Sequence, residues 1–166
     1  MFDLSESLRS AGQRFTRSSL RRRRSDAGRL RLSPVVLRAF RAAVSGDERP
    51  SIAAVQRSLA ALCRARGLRP PSRASLYNAI RAIPGHRYTA SELPLHVRLA
   101  LYNLGSDAVV PGHQLVFYGL HYGSVDAASY VLGLPWLDLY QAARHRGWRP
   151  RSRGLLLAAM RVRGIR

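Results

Sequence analysis

Apolar residues in this chain recur at three- and four-residue intervals in short runs, most of them opened by a serine or proline and closed by a glycine. This is the pattern of helices with one buried face. The first run, Val35, Val36, Leu37, Phe40 and Val44, follows Ser33-Pro34 and stops at Gly46. Proline just after a serine cap has its φ already near the helical value and lacks the N–H that a first turn leaves unpaired. A second run, Ile52, Val55, Leu59, Leu62 and Cys63, opens at Pro50-Ser51 and ends at Gly67. The third, Leu76, Ala79, Ile80 and Ile83, lies behind Pro70-Pro71 and a Ser72 cap, and it leaves Arg73, Tyr77, Asn78 and Arg81 on its other side.

Three helices with a glycine-containing turn before the last predict a helix-turn-helix unit over residues 33–83, whose final helix would enter the major groove of DNA. A plain three-helix bundle would share the spacing. The sharper reading is favoured because the arginine-bearing polar face falls on the third helix, while the second is mostly apolar and alanine-rich. The expected DNA contacts here are Arg69, Ser72, Arg73, Ser75, Tyr77, Asn78 and Arg81.

Residues 84–110 read as a helical connector. Pro84-Gly85 ends the first unit, and Thr89 to Glu92 has the spacing of a capping box, predicting a helix that buries Leu93, Val97, Ala100, Leu101 and Leu104 with Pro94 in its first turn. Gly105-Ser-Asp107 breaks that helix, and Val109-Val110 is too short to count as a strand. From Pro111 a three-part pattern repeats in outline over 111–148, with Ser129, Gly133, Leu139 and Ala142 at the small, turn and buried positions of a second helix-turn-helix. Its outward positions would be Trp136, Tyr140, Gln141 and Arg144. The stretch Pro-Trp-Leu-Asp-Leu-Tyr is largely apolar and contains an acid, so this unit reads either as a second DNA contact or as a protein interface, for a homodimer or for a toxin or recombinase partner. Residues 149–166 follow as a basic loop with Arg149, Arg151 and Arg153, a candidate backbone clamp, and a short helix expected to be capped by Ser152.

Composition turns this pattern toward a polyanion. The 166 residues carry a formal net charge of +19, and all 28 basic residues other than histidine are arginine. A guanidinium is a planar fork that pairs bidentately with phosphate or with guanine. Residues 1–32 are serine- and arginine-rich with little apolar periodicity, and Arg21, Arg22, Arg23 and Arg24 make them a disordered basic arm that would track phosphates, if it has a fixed role at all. Modest aromatic content argues against a stacking platform for single strands.

Other chemistries find little support. One cysteine, Cys63, precludes an internal disulfide or a cysteine-based metal site, and the five histidines lack close ligand spacing, so neither metal nor cofactor is expected. The carboxylates Asp107, Asp126 and Asp138 are scattered, and no catalytic constellation is apparent. The N-terminus lacks an apolar run and no stretch has the length of a membrane span, which leads to the expectation of a soluble, cytoplasmic, nucleoid-associated protein.

The segment from Pro50-Ser-Ile-Ala-Ala-Val-Gln through Cys63-Arg-Ala-Arg-Gly-Leu-Arg-Pro-Pro-Ser-Arg-Ala-Ser-Leu-Tyr-Asn resembles the helix-turn-helix units of Mu-type and related bacterial transposases. The resemblance covers residues 50–83 and implies DNA binding without a catalytic domain. The expectation is therefore an all-α fold of two tandem three-helix helix-turn-helix units joined by a helical connector. Its function would be that of a bacterial sequence-specific double-stranded DNA-binding protein, a transcriptional repressor or autoregulating antitoxin. The alternative is a DNA-end-binding accessory protein of a transposase or integrase system.

Overall fold

Among the described residues, serine caps set the starts of the first three helices. Ser33 Oγ accepts from the Val36 N–H at 3.4 Å, Ser51 Oγ from Ala54 at 3.4 Å, and Ser72 Oγ from Ser75 at 3.1 Å. They open α1 (Pro34–Val44), α2 (Ile52–Ala65) and α3 (Arg73–Ala82). Each cap satisfies one of the N–H groups that a first turn leaves without a partner. In the computed structural model residues 32–165 are described. The expected arm, with Arg21 to Arg24, lies outside the described residues apart from its last position, Leu32.

Val36, Phe40 and Val44 of α1 are buried with Ile52, Val55, Leu59 and Cys63 of α2 and with Leu76, Ala79 and Ile80 of α3. The chain leaves α2 through Gly67, whose φ of 63° is the left-handed conformation that glycine tolerates. There the Leu68 N–H reaches back to the Cys63 carbonyl at 2.8 Å and the Gly67 N–H to Arg64 at 3.3 Å. This double bond pattern closes the helix end and swings the chain toward α3.

The connector departs from expectation. Val109, Val110 and Pro111 form strand β2, which pairs antiparallel with β1 (Arg87–Thr89) in the register Arg87 with Pro111, Tyr88 with Val110 and Thr89 with Val109. Among the described residues the fold is thus mainly helical with one small two-stranded sheet. The capping box at Thr89 does not form, because the Ala90 and Ser91 N–H groups donate to the Ala108 and Ser106 carbonyls at 2.9 Å, prolonging the strand pairing into a short 3-10 turn. The helix α4 (Leu95–Ala100) begins only after Pro94.

Beyond the sheet come α5 (Gly112–Tyr122), α6 (Val125–Leu132), α7 (Trp136–Ala142) and α8 (Pro150–Val162). The α5 helix is the centre of this half and packs against α4, α6, α7 and α8. A side chain at Gly119 would run into Val131, so glycine there lets α5 and α6 approach closely. Ser152 does not cap α8. That helix starts at Pro150, and the Ser152 hydroxyl, buried inside it, donates to the Leu120 carbonyl of α5 at 2.7 Å.

The largest correction concerns α7. Trp136, expected to face outward, is 1% exposed, and its indole N–H donates to the Val44 carbonyl at the end of α1, 3.1 Å away. Leu137, Asp138 and Leu139 are buried beside it. The loop between α1 and α2 is clasped from the same side. The Trp136 backbone N–H donates to Asp47 O at 3.1 Å, Arg163 bonds the carbonyls of Leu132, Leu134 and Asp47, and Arg49 bonds Gly164 O at 3.0 Å. The described residues belong to one compact unit. Among the described residues no helix is long and apolar enough to cross a membrane.

Candidate nucleic-acid interface

The α3 helix turns Leu76, Ala79 and Ile80 inward, which leaves Arg73, Ala74, Asn78 and Arg81 exposed and Tyr77 37% exposed. Ten residues at about 1.5 Å per residue make a rod of roughly 15 Å. Ser72 and Ser75 are less available than the sequence implied. Their hydroxyls lie 2.9 Å apart and Ser72 also accepts the Ser75 N–H, so both serve the helix cap. Arg69 is exposed in the turn before the helix and lines a hollow with Pro70, Pro71 and Ser72.

Two further hollows flank the exposed face. At the N-terminal end Arg73 and Tyr77 share a polar groove with Arg49, Ser51 and Gly164. At the C-terminal end Arg81 lines a cleft of about 490 Å³ with Arg87 of β1, Arg144 just past α7, and the imidazoles of His113 and His145. Its apolar lining comes from Ala82, Ile83, Pro84 and Pro111. No carboxylate lines this cleft. Among the described residues the sole cation–carboxylate contact is between His86 and Asp138, so the arginines of α3 and of both hollows have no acidic partner.

That His86–Asp138 contact sets the position of the cleft. Asp138 is fully buried on α7, and its oxygens accept from the His86 backbone N–H, the His86 ring and the Tyr88 hydroxyl at 3.0, 3.0 and 3.1 Å. Burial pushes the Asp138 carboxyl above the usual carboxylate range, while the bonds from His86 and Tyr88 pull it back. Burial, together with the neighbouring Asp138 charge, raises the Tyr88 phenol well above its ordinary value, so it stays a proton donor. Glycine at 85 and 112 makes room for the carboxylate: a side chain at either position would collide with it. The Gln141 side chain completes the seam by donating to Ile83 O at 2.6 Å. Thus α7 holds β1 and the end of α3 in fixed relation, and Arg87 and Arg144 with them.

The other predicted contacts divide. Tyr140 is half-buried against Trp136, Gln141 is engaged with Ile83, and Trp136 is core, so of the outward set on the second unit Arg144 alone is exposed. Arg149 stacks its guanidinium 5.4 Å from the Tyr122 ring and bonds His121 O. With Arg151 it lines a separate hollow beside Ser124 that shares no lining residue with the α3 cleft, and Arg153 is exposed on α8. Arg49, Arg87, His113 and His145 were not anticipated. Arg87 had a signal only in hindsight, since its place depends on a strand partner distant in sequence. Comparison of the chain with protein-family models, with curated proteins and with solved structures gave no match.

Proposed function

We propose that this protein binds double-stranded DNA in a sequence-dependent manner, with α2 and α3 as a helix-turn-helix and α3 as the helix that enters the major groove. The observation that carries the reading is the outer face of α3. It presents Arg73, Tyr77, Asn78 and Arg81 on a short capped helix, with further arginines at both ends and no carboxylate among them. Arginine reads guanine and asparagine reads adenine through paired hydrogen bonds, and flanking guanidiniums hold phosphates. A net charge of +19 adds a long-range attraction that raises the encounter rate with DNA.

The second helical triplet takes a different role in this reading. Since α7 is occupied with Val44, Ile83 and His86, it is a brace for the reading helix rather than a second reader. A tandem pair of groove-entering helices is therefore not part of the proposal. A binding protein of this kind acts as a transcriptional repressor, or as an antitoxin that represses its own operon.

The test is selection of duplexes from a random pool at fixed salt, followed by fluorescence anisotropy on the winner and on a scrambled duplex. The expected result is preference for the selected duplex that is lost on Arg73→Ala or Asn78→Ala. Equal affinity for both duplexes with the unaltered protein would remove sequence-dependent binding from consideration.

A further inference from the structure

We propose that the cleft framed by the end of α3, β1 and α7 is a binding site for a phosphate ester. Arg81, Arg87 and Arg144 are all exposed and line it together, and among the described residues none of the three guanidiniums has a hydrogen-bond or carboxylate partner. Three forked cations from three separate elements around one hollow suit a tetrahedral dianion or a phosphodiester, because each can give a bidentate pair to a phosphate oxygen edge. Asp138, packed behind Gly85 of the wall, is fully buried and its oxygens are taken by His86 and Tyr88, so it sets the frame without competing for the cations.

Two further features point to a ligand rather than to surplus charge. His113 and His145 stack in the wall of the cleft with centroids 4.9 Å apart and planes at 26°, so two imidazoles able to donate to an anion sit beside the three guanidiniums. The volume, about 490 Å³, also exceeds what one inorganic phosphate fills and lies in the range of small-molecule sites. The lining from Ile83, Pro84 and Pro111 offers an apolar seat for the organic part of the ester. The class is therefore a nucleotide unit, either free or within a DNA strand, since both present a phosphate beside a planar body.

The site stands on the cleft's own geometry, while Arg81 belongs both to it and to the outer face of α3. If the ester is part of DNA, the cleft fixes the register of the duplex on α3. If it is a free nucleotide, its binding removes Arg81 from DNA and weakens repression.

The experiment follows the ring signals of His113 and His145 by NMR in the full chain during titration with inorganic phosphate, adenosine monophosphate and a short duplex. Arg87→Gln and Arg144→Gln serve as variants, both at exposed positions, with circular dichroism to confirm that they fold. Movement of both imidazoles with the mononucleotide, weakened about tenfold in each variant, establishes a free-nucleotide site. Movement with the duplex alone, weakened likewise, establishes a DNA-phosphate site. The proposal is overturned if none of the three probes moves the imidazoles, or if both variants bind every probe as the unaltered protein does. Duplex binding that depends on Arg73 but not on Arg87 or Arg144 would discard the cleft and keep α3 as the reader. Mononucleotide binding without duplex binding would do the reverse.

Discussion

The Nδ1 of His86 lies 3.0 Å from Oδ2 of Asp138, and the backbone N–H of the same histidine donates to Oδ1 at 3.0 Å. One carboxylate on α7 thus grips the loop after α3 at two points, and Tyr88 of β1 adds a third. Because Asp138 is fully buried, its charge is tolerable only while these donors are in place.

Removing the grip should therefore cost more than removing any single donor. Asp138→Ala leaves three donors without an acceptor and is expected to lower unfolding free energy by about 3 kcal/mol, whereas Tyr88→Phe should cost about 1 kcal/mol. Urea unfolding of the two variants gives both numbers. Similar small losses for each would mean that solvent reaches the seam and that α7 does not brace α3.

This seam also shows what the sequence could and could not reveal. Caps at Ser33, Ser51 and Ser72 and the turn at Gly67 were legible because each acts within a few residues of itself. The stripe of α3 was legible for the same reason, and with it the exposure of Arg73, Asn78 and Arg81. The pairing of Arg87 with Pro111 was not, since neither three-residue strand carries enough alternation to announce itself and each exists only through the other. The face of α7 was misread because the helix-turn-helix template places Trp136 outward, and α7 is buried along most of its length: a helix covered on nearly every side has no periodic polar stripe to report its orientation. Ser152 looked like a cap because serine before an apolar run usually is one, yet an acceptor on α5, the Leu120 carbonyl, claimed it.

Trp136 separates packing from base stacking. Trp136→Phe keeps an aromatic ring but removes the N–H that reaches Val44 O, so a buried carbonyl loses its partner and stability should fall by about 1–3 kcal/mol. Duplex affinity of the folded protein should not change. A large loss of DNA affinity with unaltered stability would put the ring on the nucleic acid instead.

Gly67 tests the turn that aims α3. Its φ of 63° strains any residue with a Cβ, and nothing else lies near enough to crowd one, so Gly67→Ala isolates the backbone term. The expected cost is about 1–2 kcal/mol in thermal or urea unfolding. An unchanged midpoint would show that the chain leaves α2 by another route.

His145 gives the pH dependence. Burial, and then the charge of His113 stacked against it, lowers its pKa below the ordinary imidazole value, and Arg81, Arg87 and Arg144 line the same cleft. With the folded pKa depressed, the unfolded chain binds the proton more readily. The stability this group contributes is therefore complete above about pH 6.5 and is lost as pH falls through the folded pKa. Unfolding free energy should decline on acidification over that interval, and His145→Gln should flatten the decline. A phosphate ester in the cleft brings a negative charge to the imidazole pair and raises the His145 pKa, so its binding should strengthen as pH falls from 8 to about 6, with uptake of up to about one proton. Calorimetric titration in two buffers of different ionisation enthalpy measures that uptake, and binding without proton exchange would place the anion away from the imidazole pair.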